Sequence, residues 1–216
     1  MNIIEQTHEI LSLPENCLEI LEKAGRTCYK SEARITAGSA EKFVDMLVRH
    51  NHHAMIEFGD IIVKITTNRG VTHELVRHRH CSFAQESTRY VRYDGEMAFI
   101  KPVWSDDRLL GKWDPAGPEL PEDLDRGDRI WMASMARAEN EYNDLLKSGW
   151  KAQAAREILP NSLKTEIVVK ANIREWRHIF ALRCAKASHP QMVGLMRPLL
   201  EEVKSKIPVV FDDLAF

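Results

Sequence analysis

Residues 61–67, Ile-Ile-Val-Lys-Ile-Thr-Thr, set six β-branched side chains in seven positions. Such side chains are stiff at χ1 and pack well on a pleated surface, so this run reads as a buried strand. A second run, Ser162 to Ile173 (SLKTEIVVKANI), reads the same way. Residues 2–13 predict an opening strand and Met97 to Ile100 a short one. Helical spacing follows Pro14 (Leu18, Leu21, Ala24-Gly25) and again follows Ser39, a predicted N-cap, with Phe43, Met46, Leu47 and His50 on one face. Gly70 ends the first strand, and Val71 to Arg79 predicts a helix. Further helices are predicted over 121–149, 151–159, 174–187 and 190–206, with Gly149 as a C-terminal stop. Residues 102–122, rich in proline and glycine, read as an excursion. Strands and helices do not alternate as βαβ units. The expectation is α+β: one compact domain over 1–216, with long helices packed on a mostly antiparallel sheet.

Charge singles out one stretch. Arg77-His78-Arg79-His80-Cys81-Ser82-Phe83-Ala84-Gln85-Glu86-Ser87-Thr88-Arg89-Tyr90, extended to Arg92, holds four arginines against one glutamate. That local excess of +3 sits in a chain whose net charge is −2, so it needs an anionic partner or nearby carboxylates. Guanidinium groups beside hydroxyls (Ser82, Ser87, Thr88) and an amide (Gln85) suit a site that grips phosphate and reads a polar heterocycle. A second basic segment, Lys170, Arg174, Arg177, Arg183 and Lys186 against Glu175, carries +4. On a helix, Arg174, Arg177 and His178 share a face. A solvated face, a polyanion site and an oligomer interface all fit it. The near-neutral overall balance argues against a general nucleic-acid binder, although a non-catalytic nucleotide- or RNA-binding module is the alternative reading. Aromatics for base stacking are sparse near the motif (Phe83, Tyr90, Tyr93).

Other chemistries find less support. Cys17, Cys28, Cys81 and Cys184 form no C-x-x-C pair and read as reduced, intracellular thiols. No signal peptide and no membrane-spanning run is present, so a cytoplasmic location is expected, with no membrane partner. His50-x-His52-His53 and His78-x-His80 invite a metal, and His73-Glu74 precedes His78. His73 and His78, however, are five apart and point about 140° away from each other on a helix. No metal is expected. Neither G-x-x-x-x-G-K-[ST] nor G-x-G-x-x-G occurs, so side-chain guanidiniums would have to hold any nucleotide. Ser87, with His52 or His78 as a base, could be a nucleophile, but no nucleophile elbow surrounds it. It reads first as a hydrogen-bond partner for phosphate or carbonyl.

Arg77-His78-Arg79, then seven residues, then Ser87 resembles the R-H-R-x7-S signature of the flavin-dependent thymidylate synthases. His52, Arg156 before Leu159-Pro160, Asn172-x-Arg174, Leu182-Arg183 and His189-Pro190-Gln191 follow in the family's order, so the likeness spans roughly residues 20–200. The resemblance implies a homotetramer with active sites built from several subunits, each binding FAD. NADPH would reduce the flavin, methylenetetrahydrofolate would give a methylene to C5 of dUMP, and the reduced flavin would complete the methyl of dTMP. No enzyme nucleophile is implied.

By the same resemblance, Arg77, His78 and Arg79 contact FAD, with Arg77 near dUMP as well. Gln85, Glu86, Ser87, Thr88 and Arg89 wrap dUMP, Ser87 and Arg89 at its phosphate and sugar end, and Gln85 also touches flavin. Arg156 and Glu74 belong to the dUMP side, and Asn172, Arg174 and His178 to the flavin. Arg183 meets the uracil edge and favours its ionised form, since a fixed cation lowers the pKa of a neighbouring N–H. His52 sits by the isoalloxazine and the folate path. Arg183, Ser87 and His52 are the expected catalytic set. Ala84, Ala54, His178 and Glu74 stand where the family commonly has asparagine, threonine, asparagine and glutamine.

Overall fold

The computed structural model describes residues 1–216. In chain order the elements are β1 (Asn2–Ile4), β2 (Thr7–Ser12), α1 (Cys17–Tyr29), α2 (Ser39–Arg49), β3 (Asp60–Asn68), α3 (Arg69–Leu75), β4 (Cys81–Gln85), β5 (Ala98–Ile100), β6 (Gly111–Lys112), α4 (Arg126–Lys147), α5 (Ala152–Ala155), β7 (Lys164–Asn172), α6 (Ile173–Arg183), α7 (Pro190–Lys206) and α8 (Pro208–Phe211). The class is α+β, as predicted. A four-stranded antiparallel sheet runs in the order β2-β3-β7-β4. A smaller sheet, β5-β1-β6, pairs β1 in parallel with β5 and antiparallel to β6.

The chain forms two compact units: residues 1–7, 65–77 and 84–167 make the first, and 8–64, 78–83 and 168–216 the second. In the first, α4 buries Met132, Met135 and Tyr142 together with Ile3 of β1, Phe99 of β5 and Leu163. The excursion after residue 101 belongs to this core. Leu109 is fully buried, and the Trp113 indole donates to the Leu109 carbonyl at 2.8 Å. In the second unit the rings of Trp176 and Phe180 of α6 lie 5.5 Å apart, tilted by 31°, and Phe211 meets Phe180 edge-on at 5.7 Å. Gly59 is required there: a Cβ on it would lie 2.7 Å from Ile173 Cδ1 and 2.8 Å from Cys17 Sγ.

Two corners share one construction. β3 ends at Asn68, whose side chain caps α3 by accepting from Val71 N–H, and β7 ends at Asn172, which caps α6 by accepting from Glu175 N–H. Each cap satisfies one of the donors that a helix start leaves without a partner. Residue by residue along β3, burial alternates, so Ile61, Val63, Ile65 and Thr67 face inward.

Several boundaries differ from expectation. The opening strand is two strands, interrupted at residues 5–6. Gly38, in the left-handed region at φ 76°, rather than Ser39, precedes α2; Ser39 instead bonds both oxygens of Glu22. Gly70 lies inside α3, which stops at Leu75, so the motif from Arg77 is not helical. Residues 81–85, predicted as neither strand nor helix, are β4. α4 begins at Arg126, not Pro121, because Asp125 is its cap. Residues 151–159 hold only a four-residue helix and a 3-10 turn, and α6 ends at Arg183.

Candidate active site

The predicted flavin residues, Arg77 and Gln85 apart, fall in the second unit. Asn172 and Arg174, with Glu57, His80, Glu175 and His178, line a cavity of about 510 Å³. A smaller one of about 260 Å³ is lined by Arg79, Ser82, Lys170 and Asn172, with Glu57 and Asp60 among the remaining residues. Three cations therefore border these cavities, balanced by carboxylates: Arg174 pairs with Glu57 at 2.6 Å and Lys170 with Asp60 at 3.0 Å. The linings set Arg79, Lys170 and Arg174 against Glu57, Asp60 and Glu175, with Asn172 as the one amide side chain, so the diphosphate of a dinucleotide such as FAD would have to compete with these carboxylates for the cations. Arg79 is exposed and has no carboxylate partner. Asn172 spends its carbonyl oxygen on the cap of α6.

His78 is buried and has both ring nitrogens engaged. Arg183 Nε–H donates to Nε2 at 3.0 Å, and Nδ1 faces Glu175 Oε1 at 3.4 Å. Burial, then the Arg183 guanidinium, holds the imidazole pKa below its ordinary 6.5. An Nε2 that accepts from a guanidinium cannot serve as a base for Ser87. The side chains of His78, Glu175 and His178 bring three ligand-type atoms within 4.8 Å of one another, a grouping that none of the histidine spacings in the sequence anticipated. His52, also in this unit, is exposed and bonded through Nδ1 to the Tyr29 hydroxyl at 2.9 Å.

Arg177 departs from the shared face expected of α6. It is buried and forms a bidentate pair with Asp213 at 2.6 Å, while Arg174 and His178 are exposed. The Cys81 and Cys184 thiols are inert. Burial pushes Cys184 up to about 11; burial and then Glu175 push Cys81 up to about 12, so neither is a thiolate at neutral pH.

The predicted nucleotide residues, Arg183 apart, fall in the first unit. After β4 the chain turns tightly: Tyr90 N–H and Val91 N–H both donate to the Ser87 carbonyl, and Ser87 Oγ accepts from Arg89 N–H at 3.3 Å. Arg156 Nη1 reaches Thr88 Oγ1 at 3.4 Å, bringing two predicted dUMP contacts together. Arg77 and Arg89 are exposed, and neither has a carboxylate partner. Gln85 donates to Thr72 Oγ1 at 2.9 Å and, less closely, to Thr165. Glu86 accepts from the Tyr93 hydroxyl at 2.8 Å on one oxygen and from Lys164 at 3.2 Å on the other. Burial and this carboxylate raise the Tyr93 pKa well above that of an ordinary phenol. Glu74 is half-buried in the last turn of α3.

Sequence reasoning missed Glu175, Glu57, Tyr93 and Lys164. For Glu175 a signal existed: Glu175, Ile179 and Arg183 form an i, i+4, i+8 stripe on α6.

The thymidylate synthase complementing protein family model matches residues 9–209. Flavin-dependent thymidylate synthases from Corynebacterium diphtheriae and Mycobacterium avium are 34% and 31% identical over 207 and 205 residues. Each alignment covers 90% of this chain, and 77% and 78% of the relative. Among solved structures, a UMP/dUMP methylase, PolB from Streptomyces cacaoi, bound with 5-Br dUMP, superposes with a TM-score of 0.75 at 24% identity, over 98% of this chain and 96% of that one. No helix is long and apolar enough to cross a membrane. By the extent of the family match and the identity of these relatives, the chain belongs to the flavin-dependent thymidylate synthases.

Proposed function

We propose that the chain converts dUMP to dTMP, with methylenetetrahydrofolate as carbon donor, FAD as redox group and NADPH as reductant, in the cytoplasm and as a homotetramer. The observation that carries this reading is the turn at 87–91. Its Ser87 and Thr88 hydroxyls, with the Arg156 guanidinium 3.4 Å from Thr88 Oγ1, are groups of the kind a nucleoside monophosphate needs, and the exposed Arg77 and Arg89 have no carboxylate partner to compete with a phosphate.

Arg89, Ser87 and Arg156 hold the phosphate and sugar. Glu86 is held by Lys164 and Tyr93, which weakens its repulsion of that phosphate without cancelling it, because Lys164 also pairs with Glu166 at 2.8 Å. Arg79, Asn172 and Arg174 hold the flavin nucleotide, with His178 and Gln85 as further contacts, and His52 borders the folate path. When bound, FAD supplies a two-electron carrier that gives the hydride completing the methyl group. Arg183 places a fixed positive charge on the uracil edge. This favours the N3-deprotonated, enolate-like form and raises electron density at C5, the carbon that accepts the methylene. The C5 proton leaves to solvent in the same overall exchange. Residues of the chain orient and polarise; none needs to bond covalently to dUMP, and the protonated Cys81 and Cys184 and the Ser87 hydroxyl engaged by Arg89 N–H accord with that.

The test is direct. Purified protein should be yellow, release FAD on denaturation, and form dTMP from dUMP only when methylenetetrahydrofolate and NADPH are both present. A colourless preparation that takes up no FAD contradicts the reading.

A further inference from the structure

We infer that Glu175 and His78 form a positioning pair for Arg183: the carboxylate fixes the imidazole tautomer, and the imidazole fixes the guanidinium through its Nε–H. This rests on the reading that Arg183 acts on the uracil edge, and extends it to two residues that need not touch the substrate.

A guanidinium nitrogen can only donate, so the 3.0 Å bond from Arg183 Nε requires a lone pair on His78 Nε2. With the Nε2 lone pair accepting, the single proton of the neutral imidazole sits on Nδ1. That hydrogen points at Glu175 Oε1, 3.4 Å away. Glu175 is 8% exposed and His78 6%, so neither group exchanges freely with water. Such burial of an ionised carboxylate is costly unless it is hydrogen-bonded, and the Nδ1–H supplies a donor. The groups facing the ring are Arg183, Glu175 and His178; the guanidinium and burial oppose a second proton, while the carboxylate favours it.

The order of the chain matters. A carboxylate on Nδ1–H pushes electron density toward Nε2 and makes it a better acceptor, as carboxylate–histidine pairs do for metals. The stronger acceptor holds Nε–H, and with it the plane of the guanidinium. Both links originate on one rigid helix, since Glu175, Ile179 and Arg183 lie along one stripe of α6. Uracil recognition then falls to the Nη edge of a side chain whose rotation is restricted.

The test compares holoenzymes of wild type, Glu175→Gln and Glu175→Ala. For each, FAD content, tritium release from C5-labelled dUMP, and the 15N resonances of His78 are measured. Glu175→Gln keeps size and an acceptor oxygen, so it guards against simple misfolding. Because Glu175 lines the cavity proposed for the flavin, FAD is supplied at saturation and tritium release is taken per bound FAD in both variants. At saturating dUMP, tritium release should fall about tenfold in Glu175→Ala and recover partly in Glu175→Gln. Wild-type His78 should show a protonated Nδ1 and an unprotonated Nε2, with the tautomers mixed in Glu175→Ala. A wild-type ring protonated at Nε2 overturns the inference, as does unchanged tritium release in Glu175→Ala. An equal fall in Glu175→Gln and Glu175→Ala with the His78 tautomer unchanged also overturns it, in favour of a purely structural carboxylate. Failure of the parent reading is separate: it would show as full tritium release in Arg183→Ala, whatever the His78 spectrum.

Discussion

Arg156 donates from Nη1 to Oγ1 of Thr88 at 3.4 Å across 68 positions of sequence. This bond ties the turn that follows β4 to the short helix–turn segment before Pro160, and both residues belong to the proposed dUMP cradle. Replacing Arg156 by alanine should weaken dUMP binding by about 10- to 100-fold, the value of a charge-assisted hydrogen bond of roughly 1.5–3 kcal/mol. Isothermal titration with dUMP checks this, and FAD content should not change. Unaltered dUMP affinity would remove Arg156 from the cradle.

The pair between Arg174 and Glu57 at 2.6 Å leads to a second expectation, because a flavin phosphate would have to compete with that carboxylate. Both side chains are about half exposed, so the pair is worth roughly 0.2–1 kcal/mol. Glu57→Gln should therefore tighten FAD binding by no more than about fivefold. The gain should shrink as salt is raised, as followed by flavin fluorescence. Weaker binding would mean that Glu57 orients Arg174 for the cofactor.

His78 and His53 give a pH dependence. Burial is the main cause holding both below 6.5, aided at His78 by Arg183 and at His53 by Arg177. The unfolded chain takes up these protons near 6.5 while the folded chain refuses them. Stability is therefore full above 6.5 and declines as pH falls below it. Asp213 adds a lower window: its carboxyl is held below 3.8, first by its bond to Arg177, so that contribution is present above 3.8 and lost as pH falls beneath it. Thermal melting of the apoprotein between pH 8 and pH 5 should show the first decline, and Asp213→Asn should deepen its His53 part, because that carboxylate raises the His53 pKa.

Much of the scaffold could be read from side-chain pattern. The β-branched runs became β3 and β7 because alternate residues face a buried side, and Pro190 starts α7 at a position where its missing N–H is harmless. β4 was hidden because Cys81-Ser82-Phe83-Ala84-Gln85 lies inside a motif dominated by charge, and its strand character comes from pairing rather than composition. Pro121 misled about α4, since Asp125 supplies the better cap. At the candidate site, Asn172 and Arg174 fall on the expected strand end and helix, whereas Arg77 to Arg79 lie beyond α3 rather than on the expected helix, and Gln85 ends β4. Their partners were not legible: Glu175 looks like one acid on a basic helix, and Lys164 like one polar residue on a strand, until folding sets them against His78 and Glu86.

The most direct measurement for the account as a whole is tritium release from C5-labelled dUMP by the Arg183→Ala holoenzyme, with methylenetetrahydrofolate and NADPH present. The account predicts a yellow protein with normal FAD content and NADPH oxidation, and tritium release reduced at least 100-fold, about 2.7 kcal/mol of lost electrostatic stabilisation. Release at the wild-type rate would contradict it.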